Sequence, residues 1–315
     1  MEQVGSVIIG SGLIAKFHAN AVKASAKTHL VGVYDAVPER AEAFAKEFDC
    51  RAFISLDDAL SAQGVGLCLV ATPSGAHDEA VFAAARHKVP VLVEKPLSIT
   101  LERAQKMIDA CKEAGVQLGG IFQTRWDEAF VEAKRKINSG ELGKITYASI
   151  RVPWWRDDEY YTKSSWHGTW AVDGGGALIN QSIHMVDWLV ALMPRITDVK
   201  AFCATLAHPM ETEDTVSAAL RFEGGALGGI YAATSSYPGR GKFIEVTGTK
   251  GTLVLDDDKT AGSASPDSFP YTGHQLCIES FVDSLQGGEP FPVPGEEAIK
   301  SIELIERIYK DAGIR

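Results

Sequence analysis

The stretch Ser6-Val-Ile-Ile-Gly10-Ser-Gly12-Leu-Ile-Ala15 begins as an apolar run, breaks at two glycines and resumes as an amphipathic segment, Leu13–Ser25. A strand that ends in Gly-x-Gly-x-x-Ala and feeds straight into a helix has the form of a dinucleotide-binding turn. Gly10 permits the tight turn, Gly12 leaves no side chain in the way of a pyrophosphate, and Ala15 lets helix pack close to strand. The first helical residues, Leu13 and Ile14, then offer backbone N–H groups and a partial positive charge to the phosphates. The second apolar run, Leu30–Tyr34, ends at Asp35. An acid there accepts both ribose hydroxyls and repels a 2′-phosphate, which favours NAD over NADP. Against this, Asp35 also suits a helix cap, and Arg40 would tolerate NADP.

Outward from this turn, apolar runs alternate with amphipathic stretches. The further runs are Gly66–Val70, Val89–Val93 and Gln117–Ile121, and the stretches between are Pro38–Phe48, Ala76–His87 and Leu101–Ala114. Such alternation implies crossover units and a parallel sheet covered by helices on both faces. Past about residue 122 the pattern changes. Helix Asp127–Asn138 leads into Thr146–Val152, an aromatic and charged segment (Pro153–Trp170), a glycine triplet and a strong helix to about Ala191. Five strand-like runs follow with no long helix between them, which predicts an antiparallel or mixed sheet. Asp256–Pro270 reads as loop, and two helices close the chain. The expected division is 1–122 for a Rossmann domain and 123–315 for a substrate-binding and oligomerisation domain, with the last helix packing back on the first.

Bulk properties narrow the class. A chain of 315 residues, 45% hydrophobic and 23% charged, is globular and long enough for two cores. A net charge of −10 argues against nucleic acid and anionic membranes, both of which call for a basic face. The five cysteines are scattered and form no CxxC pair, so neither disulfides nor a zinc knuckle is expected. Cys68 reads as a small buried hydrophobe. No secretory leader and no apolar run near 18 residues is present, so the expected compartment is the cytoplasm, with no membrane partner.

Two clusters carry chemistry. Ala71-Thr72-Pro73-Ser-Gly-Ala-His77 and Val93-Glu94-Lys95-Pro96 each follow an apolar run, at the carboxyl ends where ligands sit in open α/β sheets. Lys95 is thereby expected beside the nicotinamide. Downstream of Gly174-Gly175-Gly176, residues Asn180, His184 and Asp187 recur at i, i+4 and i+7, a single helical face opposite an apolar stripe. Oxidising an alcohol removes a hydroxyl proton as the hydride leaves. His184 suits the general base, and Lys95 stabilises the developing alkoxide, although the reverse assignment is open. His184, Asp187 and His167 repeat no known metal-ligand spacing, so no metal is expected. Trp154, Arg156, Tyr160, Trp166 and His167 combine ring-stacking faces with hydrogen-bonding groups suited to a pyranose. An aromatic subunit interface is the competing reading. Arg125, Arg156 and Lys163 are candidate partners for a carboxylate or phosphate.

With these motifs in place, the chain resembles the Gfo/Idh/MocA family of oxidoreductases over nearly its whole length. The resemblance rests on the glycine turn, Thr72-Pro73 with His77, Glu94-Lys95-Pro96, Gln123-x-Arg125 and the segment from Gly174 through Asn180 and His184 to Asp187. It implies an N-terminal Rossmann domain and a C-terminal α/β domain with an open, mainly antiparallel sheet, often the contact of a homodimer or homotetramer. It maps the family's Lys and His onto Lys95 and His184, adds Glu94 and Gln123 to the cofactor contacts, and makes Lys95–Pro96 a candidate cis bond. The implied activity is NAD(P)-dependent oxidation of a secondary hydroxyl, or reduction of the ketone, in a sugar, cyclitol or sugar acid. An NAD-assisted glycosidase or lyase acting through a transient 3-keto sugar is an alternative, as is a non-catalytic cofactor-sensing regulator. Two departures stand out. Asn180 occupies a position where inositol-dehydrogenase-like members carry Asp, and His167 occupies one where many relatives carry Arg.

Overall fold

In a computed structural model of the chain, residues 3–256 and 270–315 are described. They divide into two compact units, Met1–Gln123 with Pro270–Ile299, and Thr124–Phe269 with Lys300–Arg315.

The first unit holds β1 (Val4–Ile9), α1 (Leu13–Ala24), β2 (Thr28–Tyr34), α2 (Pro38–Phe48), β3 (Arg51–Phe53), α3 (Leu56–Leu60), β4 (Val65–Val70), α4 (His77–Arg86), β5 (Val91–Glu94), α5 (Leu101–Ala114) and β6 (Leu118–Ile121). All strand pairs are parallel, in the order β3-β2-β1-β4-β5-β6. The apolar runs become buried strands because both sheet faces are covered: Val7, Ile8, Leu67, Leu69 and Leu92 are all inaccessible to water. Cys68 lies among them, buried as a small hydrophobe would be, and that burial pushes its thiol pKa up. The strand order reverses between β1 and β4, which opens the crevice where such sheets bind ligands. β3 and α3 were not among the expected elements. Three and five residues are too short to display a period.

The second unit holds α6 (Glu128–Asn138), β7 (Ile145–Pro153), α7 (Asp158–Thr162), α8 (Ile183–Leu192), β8 (Ile196–Ala204), β9 (Thr215–Phe222), β10 (Leu227–Ala233), β11 (Phe243–Gly248) and β12 (Thr252–Asp256). Its sheet runs β12-β11-β7-β10-β9-β8, antiparallel throughout except for the parallel pair β7·β10. β9 shows the period of a one-sided sheet: Val216, Ala218, Leu220 and Phe222 are buried while Ser217, Ala219 and Arg221 face out. The outward face also carries Tyr147, Phe202, Leu227 and Val254, all exposed.

The closing helices are α9 (Thr272–Leu285) and α10 (Gly295–Asp311). The expected boundary assigned all of 123–315 to the second domain, yet Pro270–Ile299 groups with the first. Lys27 forms an ion pair with Asp283 (2.6 Å), Gln117 bonds Ser284 (2.9 Å), and the Gly120 amide donates to Val293 (2.9 Å). The apolar face of α9, with Cys277, Ile278, Phe281 and Val282 buried, reveals that something covers it, but a period does not say which unit does. Most of the expected loop Asp256–Pro270 lies outside the described residues. Among those described, no helix is long and apolar enough to cross a membrane.

Candidate active site

In the first unit, Gly10 takes φ +98°, and a Cβ there would sit 2.7 Å from the Ala71 carbonyl oxygen, so the turn requires glycine. A Cβ on Gly12 would meet nothing within 4 Å. Gly12 is also the N-cap of α1, and no side chain caps it. Leu13 and Ile14 thus begin a helix whose N-terminus is presented to open space. At the ends of the neighbouring strands, Thr72 Oγ1 and Gln123 Oε1 are buried without a hydrogen-bond partner. An open cradle beside orphaned polar atoms fits a bound dinucleotide. Asp35 does two jobs. Its Oδ2 accepts from Ser11 N (2.9 Å) and Oγ (2.7 Å), and its Oδ1 accepts from Val37 N (2.9 Å) ahead of α2. Arg40 lies exposed in the first turn of that helix.

His77 and Glu94 are both held in buried contacts at the ends of these strands. His77 is buried, its ring nitrogens 3.0 Å from Thr72 O and 3.3 Å from Leu97 O, and burial lowers its pKa. It therefore tethers the Thr72-Pro73 loop to the segment after Pro96. Glu94 is buried too. Its Oε1 lies 2.7 Å from His18 Nε2 and 3.5 Å from His274 Nε2, while its Oε2 accepts the Lys95 N–H at 3.1 Å. Burial pushes the Glu94 carboxyl up, but the His18 hydrogen bond and the neighbouring His274 imidazole outweigh that and hold it well below the usual range. Glu94 is thus an anchor behind the Lys95 backbone. Lys95 itself is half-buried at the end of β5, and the Lys95–Pro96 bond is cis, as the resemblance implied.

Among the described residues, the donor atoms of His18, Glu94 and His274 form the group placed for a metal, all within 4.8 Å of one another. Within it His18 and Glu94 are hydrogen-bonded to each other at 2.7 Å, and His274 Nε2 lies 3.5 Å from the same Glu94 oxygen. This group differs from the trio weighed from sequence, whose Asp187 is committed elsewhere.

In the second unit, the glycine triplet leads into a π-helical turn, Ala177–Gln181, and then α8. Glu213 organises this entry from inside. Its Oε2 accepts Gly176 N–H (3.0 Å), and its Oε1 accepts Leu178 N–H (2.9 Å) and the Tyr309 hydroxyl (2.9 Å). Burial raises the Glu213 pKa to about 7 against these three donors. Asn180 donates through Nδ2 to Asp173 Oδ1 at 2.7 Å, and Asp173 Oδ2 accepts Gly168 N–H at 2.9 Å. His184 is half-buried in the first turn of α8. Asp187, three residues further along α8, differs from both in burial. It is fully buried and takes Arg125 Nε at 2.8 Å and Nη2 at 2.6 Å. That bidentate pair balances the Arg125 charge within the fold.

The aromatic segment folds into one connected surface. Asp157 caps α7 by accepting from Tyr160 N (2.9 Å). The Tyr160 ring stacks on His167 (centroids 4.2 Å apart, 9° between planes), and His167 touches the Trp166 ring at 3.9 Å. The Arg156 guanidinium lies 5.2 Å from the Trp154 ring and 5.3 Å from that of Tyr160. It donates Nε (3.1 Å) and Nη2 (2.7 Å) to Gln181 Oε1, and Gln181 Nε2 donates to the Tyr160 hydroxyl at 2.8 Å. Trp154, Arg156, Tyr160, Trp166, His167 and Asn180 are therefore brought together, with Gln181 and Asp173 as members that the sequence reading missed. Both lie beside recognised positions, next to Asn180 and just before the glycine triplet. Nothing in the sequence flagged Glu213, His18 or His274.

Against known proteins, residues 4–122 match the family described as "Oxidoreductase family, NAD-binding Rossmann fold", and residues 130–254 match the GFO/IDH/MocA C-terminal domain. The chain is 32% identical to scyllo-inositol 2-dehydrogenase (NAD(+)) of Bacillus subtilis, over 96% of this chain and 92% of that protein. It is 28% identical to 2,7-anhydro-N-acetylneuraminate hydratase of Escherichia coli, over 81% and 68%. The WlbA dehydrogenase of Bordetella pertussis, solved with NADH and UDP-GlcNAcA, superposes with TM-score 0.90 at 33% identity, covering 99% of this chain and 97% of that one. The chain belongs to the Gfo/Idh/MocA family of oxidoreductases, with its NAD-binding Rossmann fold.

Proposed function

We propose that the protein is an NAD-dependent dehydrogenase that oxidises a secondary hydroxyl of a sugar, cyclitol or sugar acid, or runs the reverse reduction. The observation that carries this reading is the polar and aromatic surface formed by Arg156, Tyr160, His167, Asn180 and Gln181 at the entry to the helix of His184. Aromatic faces suit the C–H patches of a sugar ring, and fixed amides and the phenol suit its hydroxyls. Relatives named as inositol and sugar-nucleotide dehydrogenases support the same substrate class. The dinucleotide, when bound, supplies the hydride acceptor. Gly10, Gly12, Leu13 and Ile14 hold its phosphates, Asp35 its ribose, and Thr72, Pro73 and Gln123 line the approach to Lys95. Asp35 makes NAD the preferred form.

His184 takes the hydroxyl proton, and the Lys95 ammonium hydrogen-bonds the same oxygen and offsets its growing negative charge. Asn180, held by Asp173, orients that oxygen and transfers no proton. Both Lys95→Ala and His184→Ala are expected to lower kcat by about 10² or more, while NAD binding, followed by fluorescence titration, is retained. Full turnover by either variant refutes the assignment. The similarity to a hydratase favours one further reading, a redox-neutral reaction through a transient ketone. It predicts substrate conversion with the same Lys95 and His184 dependence but no accumulation of NADH.

A further inference from the structure

Arg156 differs from the other cations considered for substrate binding. Arg125 is matched to Asp187, and Lys163 is paired with Glu159 one helical turn away. Arg156 meets only neutral groups among the described residues: the Gln181 amide oxygen and the rings of Trp154 and Tyr160. The acids near it in the chain are turned to other work. Asp157 caps α7, Asp158 lies 3.3 Å from the His208 ring, and Asp173 serves Asn180 and Gly168. A half-buried guanidinium without a counter-ion is costly unless an anion arrives to match it.

Its orientation is also fixed. Gln181 occupies the Nε side, and Gln181 is itself held by the Tyr160 hydroxyl. The end-on edge formed by Nη1 and Nη2 remains for a ligand, and two parallel N–H groups match the two oxygens of a carboxylate. Charge decides between anions. One guanidinium balances one negative charge, and the neighbouring cations are already paired, so a carboxylate fits better than a phosphate dianion. The same hydrogen-bonded chain runs from Arg156 through Gln181 to the Tyr160 hydroxyl, and Gln181 directly follows Asn180 in the chain. The charge is thus tied to the surface where the sugar is proposed to lie.

We propose that Arg156 anchors a carboxylate of the substrate, so that the sugar handled by this site is a uronic-type sugar acid. This rests on the dehydrogenase reading for its chemistry but not for its binding step. The test compares wild type with Arg156→Met, which keeps an apolar stem between the rings, and with Arg156→Lys, which keeps the charge and loses the fork. NADH formation is measured on glucuronate, galacturonate and UDP-glucuronate, on glucose, galactose and UDP-glucose, and on glucose 6-phosphate. In parallel, binding of each compound to the NADH-loaded protein is measured by calorimetry.

Wild type is expected to prefer acid over neutral partner by tenfold or more in kcat/KM. In Arg156→Met that ratio should collapse towards one, through a rise in KM for the acids of about 10², with Arg156→Lys intermediate and NAD affinity retained in both. Acids that bind in an Arg156-dependent way without turnover uphold the anchor and defeat the dehydrogenase reading. Equal losses on acids and neutral sugars, an Arg156-dependent preference for the phosphate, or no binding of any acid each overturn the proposal.

Discussion

Two glycine-rich turns open the two helices that matter, and they do opposite things with their backbone. At Gly10-Ser11-Gly12 no side chain caps the helix, and the space where a Gly12 Cβ would stand is empty. At Gly174-Gly175-Gly176 the corresponding amides are already taken: Gly176 and Leu178 donate to Glu213. A Cβ on Gly176 would lie 2.0 Å from the Glu213 carbonyl oxygen, and one on Gly175 2.3 Å from the Tyr309 hydroxyl. In the second turn the glycines admit the protein's own groups; in the first, Gly10 does the same for the Ala71 carbonyl while Gly12 leaves its space open. A glycine cluster before a helix therefore marks close approach, and only the identity of the approaching group separates a binding loop from a scaffold.

The sharpest way to break that comparison is to add a methyl group to each turn. Gly176→Ala is expected to destabilise the protein by roughly 3 kcal/mol or more, seen as a fall in melting temperature or as insoluble protein. Gly12→Ala should leave the melting temperature near wild type and raise the NAD Kd at least tenfold. Reversed outcomes would mean that the two turns had been assigned the wrong way round.

A smaller effect isolates the internal carboxylate. Burial raises the Glu213 pKa to about 7 from an ordinary value of 4.5, so its protonated form is the one the fold favours. Its contribution is fully present below about pH 4.5 and is lost as pH rises through 7, a span of about 3 kcal/mol at most. Urea unfolding at a series of pH values should show the stability advantage of wild type over Glu213→Gln shrinking across that window. An advantage that grows with pH would show that the three donors, not burial, dominate. The smallest change expected is at the open turn. Asp35→Asn keeps a bond to Ser11 and removes the charge, and should narrow the NAD over NADP preference in kcat/KM by about tenfold, or about 1.4 kcal/mol.

How much of this was legible in the sequence follows from which signals are local. The open turn was readable because strand, glycines and helix lie within ten residues, and the paired strands of both sheets, β3 excepted, appeared as strand-like runs. The stripe Asn180, His184, Asp187 was misread in one member. The i, i+4, i+7 rule assumes one regular helix, whereas the Ala177–Gln181 turn is π-helical and rotates Asn180 relative to α8. Asp187, three residues after His184 on α8, is buried against Arg125, a partner 62 residues away that its spacing does not reveal. Glu213 reaches Gly176 across 37 residues, and His274 reaches Glu94 from a helix after the second sheet. No spacing rule spans such distances.

The return of Pro270–Ile299 to the first unit bears on how the protein is made. The ribosome delivers the glycine turn, Lys95 and all six strands of the first sheet, then the whole of the second sheet, before α9 emerges. At 5–20 residues per second that gap is on the order of ten seconds. Throughout it Glu94 lacks His274, and Gly119 lacks Phe281 and Phe291, which later close over it. The cofactor-binding half is therefore the first to begin synthesis, yet its sheet waits for α9 until the whole second sheet has been made, while the second unit is itself completed only by Lys300–Arg315.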